Sequence, residues 1–284
     1  MTTALASVVI PAHNEEQVLG RALDTLLRDA LPGELDVIVV ANGCTDSTAD
    51  VARDHGVRVI ETHLSGKTHA LRLGDAAAET FPRVYADADT DLTTESVRIL
   101  LQTLSRPGVL ATSPVPTFDL DRAHPAARRI HKVHNLLMTD RRGLAGAGVY
   151  CLNAAGHARV APFPDVISDD GFVHRMFAPG ERVVSAGATS VVRPSTTFRA
   201  TLRRRVRVRQ GNDELDALGL PRLEGRLRLA SLLELVRRGR ATPIDAVWYL
   251  TLVLADRAQV RWRDASGAEV TWGTDLSTRP VSTA

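Results

Sequence analysis

Cysteine is scarce: Cys44 and Cys151 stand alone and far apart in 284 residues, so a stapled secreted scaffold is not expected and a reduced, cytosolic interior is. Long apolar runs are missing as well. The longest, Ala246 to Ala255 with Thr251 inside it, falls short of the roughly 20 residues that a membrane span needs. The opening MTTALASVVIPAHNEE has no basic leader before its apolar stretch, which argues against a signal peptide. No internal repeat or low-complexity tract is present, and 44% apolar with 24% charged residues excludes a disordered chain or a coiled coil. Nor does charge of one sign dominate. The net value is +2, which gives no reason to expect a nucleic-acid partner. Lysine is confined to Lys67 and Lys132, so 33 of 35 basic residues are arginine. Between Arg193 and Arg263 there are 16 arginines against 7 acidic residues, a basic cluster that the total hides.

The first half alternates short apolar runs with amphipathic segments, the pattern of a parallel sheet with crossover helices. Ser7 to Ile10 reads as a strand stopped by Pro11. Leu19, Ala22, Leu23, Leu26 and Leu27 form one stripe of a helix that begins near Glu15. Val37 to Val40, Val57 to Glu61 and Arg83 to Ala86 read as further strands. Helices are expected over Thr45 to Arg53 and Thr68 to Ala78, and a third after a cap at Thr93 or Thr94. Beyond Pro107, strands at Val109 to Thr112 and Val149 to Leu152 enclose a helix near Ala126 to Met138. Residues 196–284 read as an arginine-rich helix, a turn near Gly219 to Pro221, and amphipathic helices near 228–238 and 244–260. Ligands of open α/β sheets bind outside the carboxyl ends of the strands, so the polar clusters at 11–16, 41–48, 63–67 and 87–91 should converge on one crevice.

Two local patterns carry chemistry. In Tyr85-Ala86-Asp87-Ala88-Asp89 two carboxylates alternate where an apolar strand runs out, which suits a hard divalent cation with positions left open for phosphate oxygens. Aspartate at a strand end is equally a turn former. Asp169-Asp170 places carboxylates ahead of a short amphipathic turn, where one can take a proton from an incoming hydroxyl while its neighbour keeps its pKa from falling too low. The same pair also serves as a helix cap. His174, one turn past Asp170, is placed to face an acceptor.

Taken together, Ser7 to Glu15, Asn42-Gly43-Cys44-Thr45-Asp46-Ser47-Thr48, Gly66-Lys67, Asp87-Ala88-Asp89 and Asp169-Asp170 resemble, in order and spacing, the family 2 glycosyltransferases over about residues 5–210. The resemblance implies a GT-A-type, Rossmann-like fold: a mostly parallel central sheet flanked by helices, followed here by a helical C-terminal arm. It divides the chain into a nucleotide-sugar-binding half (1–110), an acceptor-binding half of the same domain (111–195) and the arm (196–284). It implies a nucleoside-diphosphate sugar donor, Mg2+ or Mn2+, and inversion at the anomeric carbon. Residue by residue, it places Pro11, Ala12, Asn14, Glu15 and Asn42 at the base and ribose, with Asp46 supporting their loop and Lys67 near the nucleotide. It sets Asp87 by ribose and metal and Asp89 on the metal. Asp170 matches the base and Asp169 stands beside it, while Gly146 belongs to a glycine-rich acceptor-side segment.

Two departures shape the expectation. Ala41-Asn42-Gly43-Cys44 lacks the carboxylates that read uracil in some relatives, which leaves the nucleotide base open. The Gln-x-x-Arg-Trp motif of processive synthases is also absent, which points to addition of a single sugar to a small-molecule, glycan or lipid-linked hydroxyl. Arg204 and Arg205, with their neighbours, match either diphosphate or acceptor contacts or a solvated helix face.

Rival readings differ by class. Ser65-Gly66-Lys67-Thr68 imitates a P-loop of a nucleotide hydrolase or nucleotidyltransferase, but Glu61 stands where that loop needs glycine. No dinucleotide fingerprint follows the first strand. His131 and His134 lie one turn apart without a third zinc ligand at a convincing spacing. An inactive scaffold at a membrane surface is opposed by the presence of Asp87, Asp89 and Asp170. Trp248, Tyr249, Leu252 and Val253 with Arg257, Arg261, Trp262 and Arg263 fit either a packed helix or a peripheral contact at the inner membrane face.

Overall fold

The computed structural model describes residues 4–220 and 229–266. In chain order its first half contains β1 (Ala6–Ala12), α1 (Glu16–Leu27), β2 (Leu35–Asn42), α2 (Thr48–Asp54), β3 (Arg58–Thr62), α3 (Lys67–Ala77), β4 (Arg83–Ala86), β5 (Asp91–Leu92), α4 (Thr94–Leu104) and β6 (Ala111–Phe118). Then follow α5 (Pro125–Met138), β7 (Val149–Leu152), α6 (Ala154–Val160), α7 (Asp169–Arg175), β8 (Arg182–Val192), α8 (Phe198–Ala217), α9 (Leu229–Arg237) and α10 (Pro243–Ser266). These elements form two compact units. Among the described residues, one takes the chain up to Phe118 together with Gly143–Val192, and the other takes Asp119–Arg142 with those from Arg193 to Ser266. The helix expected inside the second half of the sheet domain, α5, therefore belongs with the C-terminal helices.

The first unit is built on a single sheet ordered β3-β2-β1-β4-β7-β6-β8-β5. β1 to β4 are parallel to one another. β7 runs antiparallel to both β4 and β6, β6 and β8 are parallel, and β5 closes the edge antiparallel to β8. This is the α/β architecture expected. Val37 to Val40 are buried on both faces, as a parallel strand covered by helices requires. Val18, Leu19, Ala22, Leu23 and Leu26 supply the buried stripe of α1. α3 lies close against β1 because position 74 carries no side chain: a Cβ there would meet Val9 Cγ1 at 2.3 Å. Thr93 caps α4, its side chain accepting from the Ser96 amide at 3.1 Å.

The strands depart from the sequence expectation in informative places. β1 passes through Pro11 instead of stopping there. The Ser7 amide donates to Pro82 O at 3.3 Å, so Ser7, Val9 and Pro11 turn their amide positions toward β4. Pairing with β4 ends at Val9 opposite Tyr85, so the missing N–H of Pro11 costs no ladder bond. α2 begins at Thr48, not Thr45, because the Asp46 carboxylate accepts from the Thr48 amide at 3.1 Å and holds a turn ahead of it. β6 continues through Pro114 and Pro116, shifting register against β8 between Pro114 and Val115. β8 itself, eleven residues long, has no counterpart in the apolar runs of the sequence.

In the second unit Ile130, Val133 and Leu137 of α5 pack with Leu232, Tyr249 and Leu252. Tyr249 and Leu252, which the sequence left between a packed helix and a membrane contact, are buried, and Trp248 and Val253 pack partly against the same cluster. The Trp262 and Arg263 side chains lie outside the described residues. Among the described residues no helix is long and apolar enough to cross a membrane. Two buried carboxylates tie the helices together. Asp245 accepts from Arg129 at 2.6 Å and Lys132 at 2.8 Å, and Asp256, fully buried, is held by Arg205 at 3.1 Å and by Arg209. Burial pushes the Asp256 carboxyl up, but Arg209 and Arg205 outweigh it and hold the group below the usual carboxylate range. A lowered pKa adds stability above the unfolded value near 4, lost as pH falls through the folded value. Asp256→Ala should therefore cost about 1–3 kcal/mol at pH 7, less than a fully enclosed pair because the arginines reach water. In urea melts the gap from wild type should narrow on acidification toward pH 3.

Candidate active site

The site forms where β4 gives out. The Asp87 amide donates to Gly148 O at 2.8 Å, and the Thr90 amide donates to Asp87 O at 3.1 Å, so the tip of β4 is tied to the segment entering β7. Gly148 has φ +67°, and a Cβ there would meet Thr90 Oγ1 at 2.2 Å, so only glycine fits the approach. One rung back, Tyr85 and Tyr150 face each other across the strands with ring centres 4.9 Å apart. Phe163 meets Tyr85 edge-on at 5.2 Å. Tyr150 Oη donates to Asp169 Oδ2 at 3.2 Å.

Three carboxylates meet one ammonium here. Lys67, the first residue of α3, places Nζ 2.6 Å from Asp87 Oδ1 and 2.8 Å from Asp169 Oδ1. Asp170 Oδ2 accepts from the Gly146 amide at 2.8 Å, and its Oδ1 accepts from Ser168 Oγ at 2.8 Å and the Gly171 amide at 2.7 Å. Burial opposes charge on Lys67, yet Asp169, Asp87 and Asp170 together hold it well above the ordinary lysine value. Burial pushes Asp169 up, and Asp170 and Asp87 add to this against the pull of Lys67. For Asp170 the upward push of burial is outweighed by Lys67 and by the three hydrogen-bond donors, which leave it below the usual range. The sequence expectation had Asp169 holding the pKa of Asp170 up; instead Asp169 is the carboxyl that rises.

Pro11, Lys67, Asp87, Asp169 and Asp170 thus line one pocket, with Tyr85, Tyr150 and Gly148. The other residues singled out in the sequence lie around it or elsewhere. Asn14, at φ +53°, accepts on Oδ1 from the Thr45 amide at 2.8 Å, an αL position that asparagine tolerates. The Glu15 amide donates to Thr48 Oγ1 at 2.8 Å, and the Glu16 amide to Asp46 Oδ2 at 3.2 Å. Asn42 is buried and uses both ends of its amide on the chain, donating to Ala12 O at 2.7 Å and accepting from the Gly66 amide at 2.9 Å. Asp89 sits in the turn before β5, where Arg21 Nη2 donates to its carbonyl at 3.1 Å. The Leu144 amide donates to His174 Nδ1 at 3.1 Å beneath Gly143. Arg204 and Arg205 belong to α8 in the second unit, where Arg205 pairs with Asp256. Glu61 is in β3 and pairs with Arg53.

Tyr150 and Ser168 escaped the sequence reading. Tyr150 sat in an apolar strand with nothing to mark its hydroxyl, whereas Ser168, directly ahead of an acidic pair, carried a legible capping signal.

Residues 7–161 match the family model for glycosyl transferase family 2. The chain belongs to that family. Over 118 residues it is 35% identical to a 4,4'-diaponeurosporenoate glycosyltransferase of Staphylococcus aureus (strain USA300), a match covering 38% of this chain and 31% of the relative. The chain thus spans under a third of the curated relatives it matches. Among solved structures it resembles a Pyrobaculum calidifontis mannosyltransferase in complex with GDP-Man and Mn2+, with TM-score 0.61 and 18% identity over 95% of this chain and 77% of that one. It also resembles Mycobacterium tuberculosis glucosyl-3-phosphoglycerate synthase in complex with Mn2+, UDP and glucosyl-3-phosphoglycerate, with TM-score 0.51 and 20% identity over 78% of this chain and 82% of that one. The fold is accordingly GT-A.

The family 2 pocket holds its charge balance through Lys67. Lys67→Met should lower stability by about 2–4 kcal/mol at pH 7. With the ammonium gone, Asp169 binds its proton more tightly in the folded state, so the loss should grow as pH rises. Urea midpoints that show a larger deficit at pH 8 than at pH 5 would bear this out.

Proposed function

We propose that this chain transfers a single sugar from a nucleoside-diphosphate donor to an acceptor hydroxyl, with inversion at the anomeric carbon. The observation that carries the reading is the shared pocket. Asp87, at the carboxyl end of a parallel strand, and Asp170, 83 positions later in the sequence, open onto one cavity with Lys67 beside both. An inverting displacement needs such an arrangement, with a base on one side of the anomeric carbon and positive charge on the other for the departing diphosphate. Pro11, at the end of β1, and Lys67, at the start of α3, lie at carboxyl ends of parallel strands where nucleotides bind in such sheets.

In this scheme Asp170 takes the proton of the acceptor hydroxyl as the acceptor oxygen bonds to the anomeric carbon and the bond from that carbon to the diphosphate oxygen breaks. The nucleoside diphosphate leaves with the electron pair. A carboxylate held by three donors and an ammonium is a weak base. It becomes stronger as Lys67 turns toward the diphosphate and the hydroxyl takes the place of one donor.

The donor set fits a hard divalent ion in part. Asp87 and Asp89 offer carboxylate oxygens on alternate residues, and among the described residues no three His, Cys, Asp or Glu side chains gather into a metal cluster. Mg2+ or Mn2+ would thus be held by Asp89 with Asp87 and completed by phosphate and water oxygens. When bound, such an ion neutralises charge on the leaving diphosphate. The acceptor is a hydroxyl of a small molecule, a glycan or a lipid-linked chain.

Asp170→Asn should lower kcat by roughly 10²–10⁴-fold with donor affinity unchanged; retention of more than about a tenth of wild-type turnover would remove Asp170 as the base. Asp89→Ala should abolish metal-dependent donor binding. In thermal melts with Mn2+, one of UDP, GDP, ADP or dTDP should raise the midpoint of wild type by mass action, and Asp89→Ala should erase that rise.

A further inference from the structure

We infer that the outward face of α10 is a docking surface for an anionic lipid bilayer. The helix has two faces of opposite character. Its inner face carries Tyr249 and Leu252, both buried, and the two carboxylates Asp245 and Asp256. These are turned inward and neutralised by Arg129 and Lys132 and by Arg205 and Arg209. Its outer face carries Ile244 at 52% exposure, Val247 at 59% and Leu254 at 62%, spaced to fall on one side of the helix. That face runs on into the exposed Arg257 and Arg261. No exposed residue of α10 between 243 and 261 is acidic.

A surface-exposed apolar stripe of this kind marks an interaction site, and its charge selects the occupant. Branched aliphatic side chains ending in guanidiniums match the acyl and phosphate layers of an anionic membrane. Among the described side chains of α10, residues 243–261, a second copy of the same face would bring apolar surface but no carboxylate to those arginines. α9 likewise exposes Leu229 and Leu233, and its one described acid, Glu234, is already paired with Arg237 and Arg238. These are not Trp248 and Tyr249, the described aromatic residues of the pattern that suggests a membrane contact; those pack inward, and the opposite side of the same helix is left open.

The test is co-sedimentation of the full chain with vesicles of phosphatidylglycerol and phosphatidylcholine, against phosphatidylcholine alone, at low and high salt. Wild type should bind the anionic vesicles and release them in salt. Val247→Glu with Leu254→Glu should weaken binding at least tenfold, and Arg257→Glu with Arg261→Glu by roughly fivefold or more per arginine. All four positions are exposed, and unchanged thermal melts establish that the variants fold. Equal binding to neutral and anionic vesicles, no binding by wild type, or wild-type binding by both variants would overturn the inference. So would a wild-type dimer in light scattering that Val247→Glu dissociates. A nucleotide-induced shift in melting is read separately, so its absence would count against the transferase reading and leave the lipid surface standing.

Discussion

Everything in the pocket turns on the ammonium of Lys67 lying between Asp87 and Asp169. Three carboxylates sharing one cavity repel one another, and at the effective dielectric near a protein surface each close pair costs a few kcal/mol. A single cation at their junction relieves that cost. It also joins parts of the chain that the sheet alone would not fix in register: the tip of β4, the first turn of α3 and the first turn of α7. The Tyr150 hydroxyl on Asp169 and the Ser168 hydroxyl on Asp170 complete the set. Asp169 and Asp170 thus each have a hydroxyl of their own, and Lys67 ties Asp169 to Asp87.

Around this junction most of the polar motif residues serve the backbone. Asn42 fastens the ends of β1 and β2 to Gly66, and so sets where α3 begins and where Lys67 starts. Asn14 and Asp46 lock the loops after β1 and β2 against each other. A buried amide with donor and acceptor both satisfied has little left for a ligand. What it supplies is the position of the residue next to it. The motif around 42–48 therefore acts on the pocket through the geometry of its loops, and Pro11, Lys67 and the carboxylates meet the space itself.

How much of this was legible follows from what periodicity encodes. Buried parallel strands print continuous apolar runs, so β2, β4 and the stripe of α1 stood out. Strand ends and partners print nothing comparable. Pro11 reads as a stop because a proline's missing N–H matters only relative to a neighbour, and the sequence does not say that pairing with β4 ends two residues earlier, at Val9. β8 was invisible because its buried and exposed residues are small and mixed, with no stretch of large apolar side chains. Asp87, Asp169 and Asp170 were legible as acidic residues at element ends. Their order of proton affinity was not, because it depends on which carboxylate receives the backbone amides and which is left with a tyrosine and a lysine.

The basic cluster of the C-terminal half shows the same limit from the opposite side. Counted along the sequence, the excess of arginine reads as a field for phosphate. In the second unit Arg205 and Arg209 of that cluster are drawn onto Asp256, and outside it Arg129 and Lys132 onto Asp245, so part of the charge closes helix contacts. The consequence reaches past stability. Because Asp245 and Asp256 are spent on these inward pairs, the described outward face of α10 carries apolar and cationic groups with Thr251 and no acid, and the same ion pairs that hold the helices together shape the character of the surface they present.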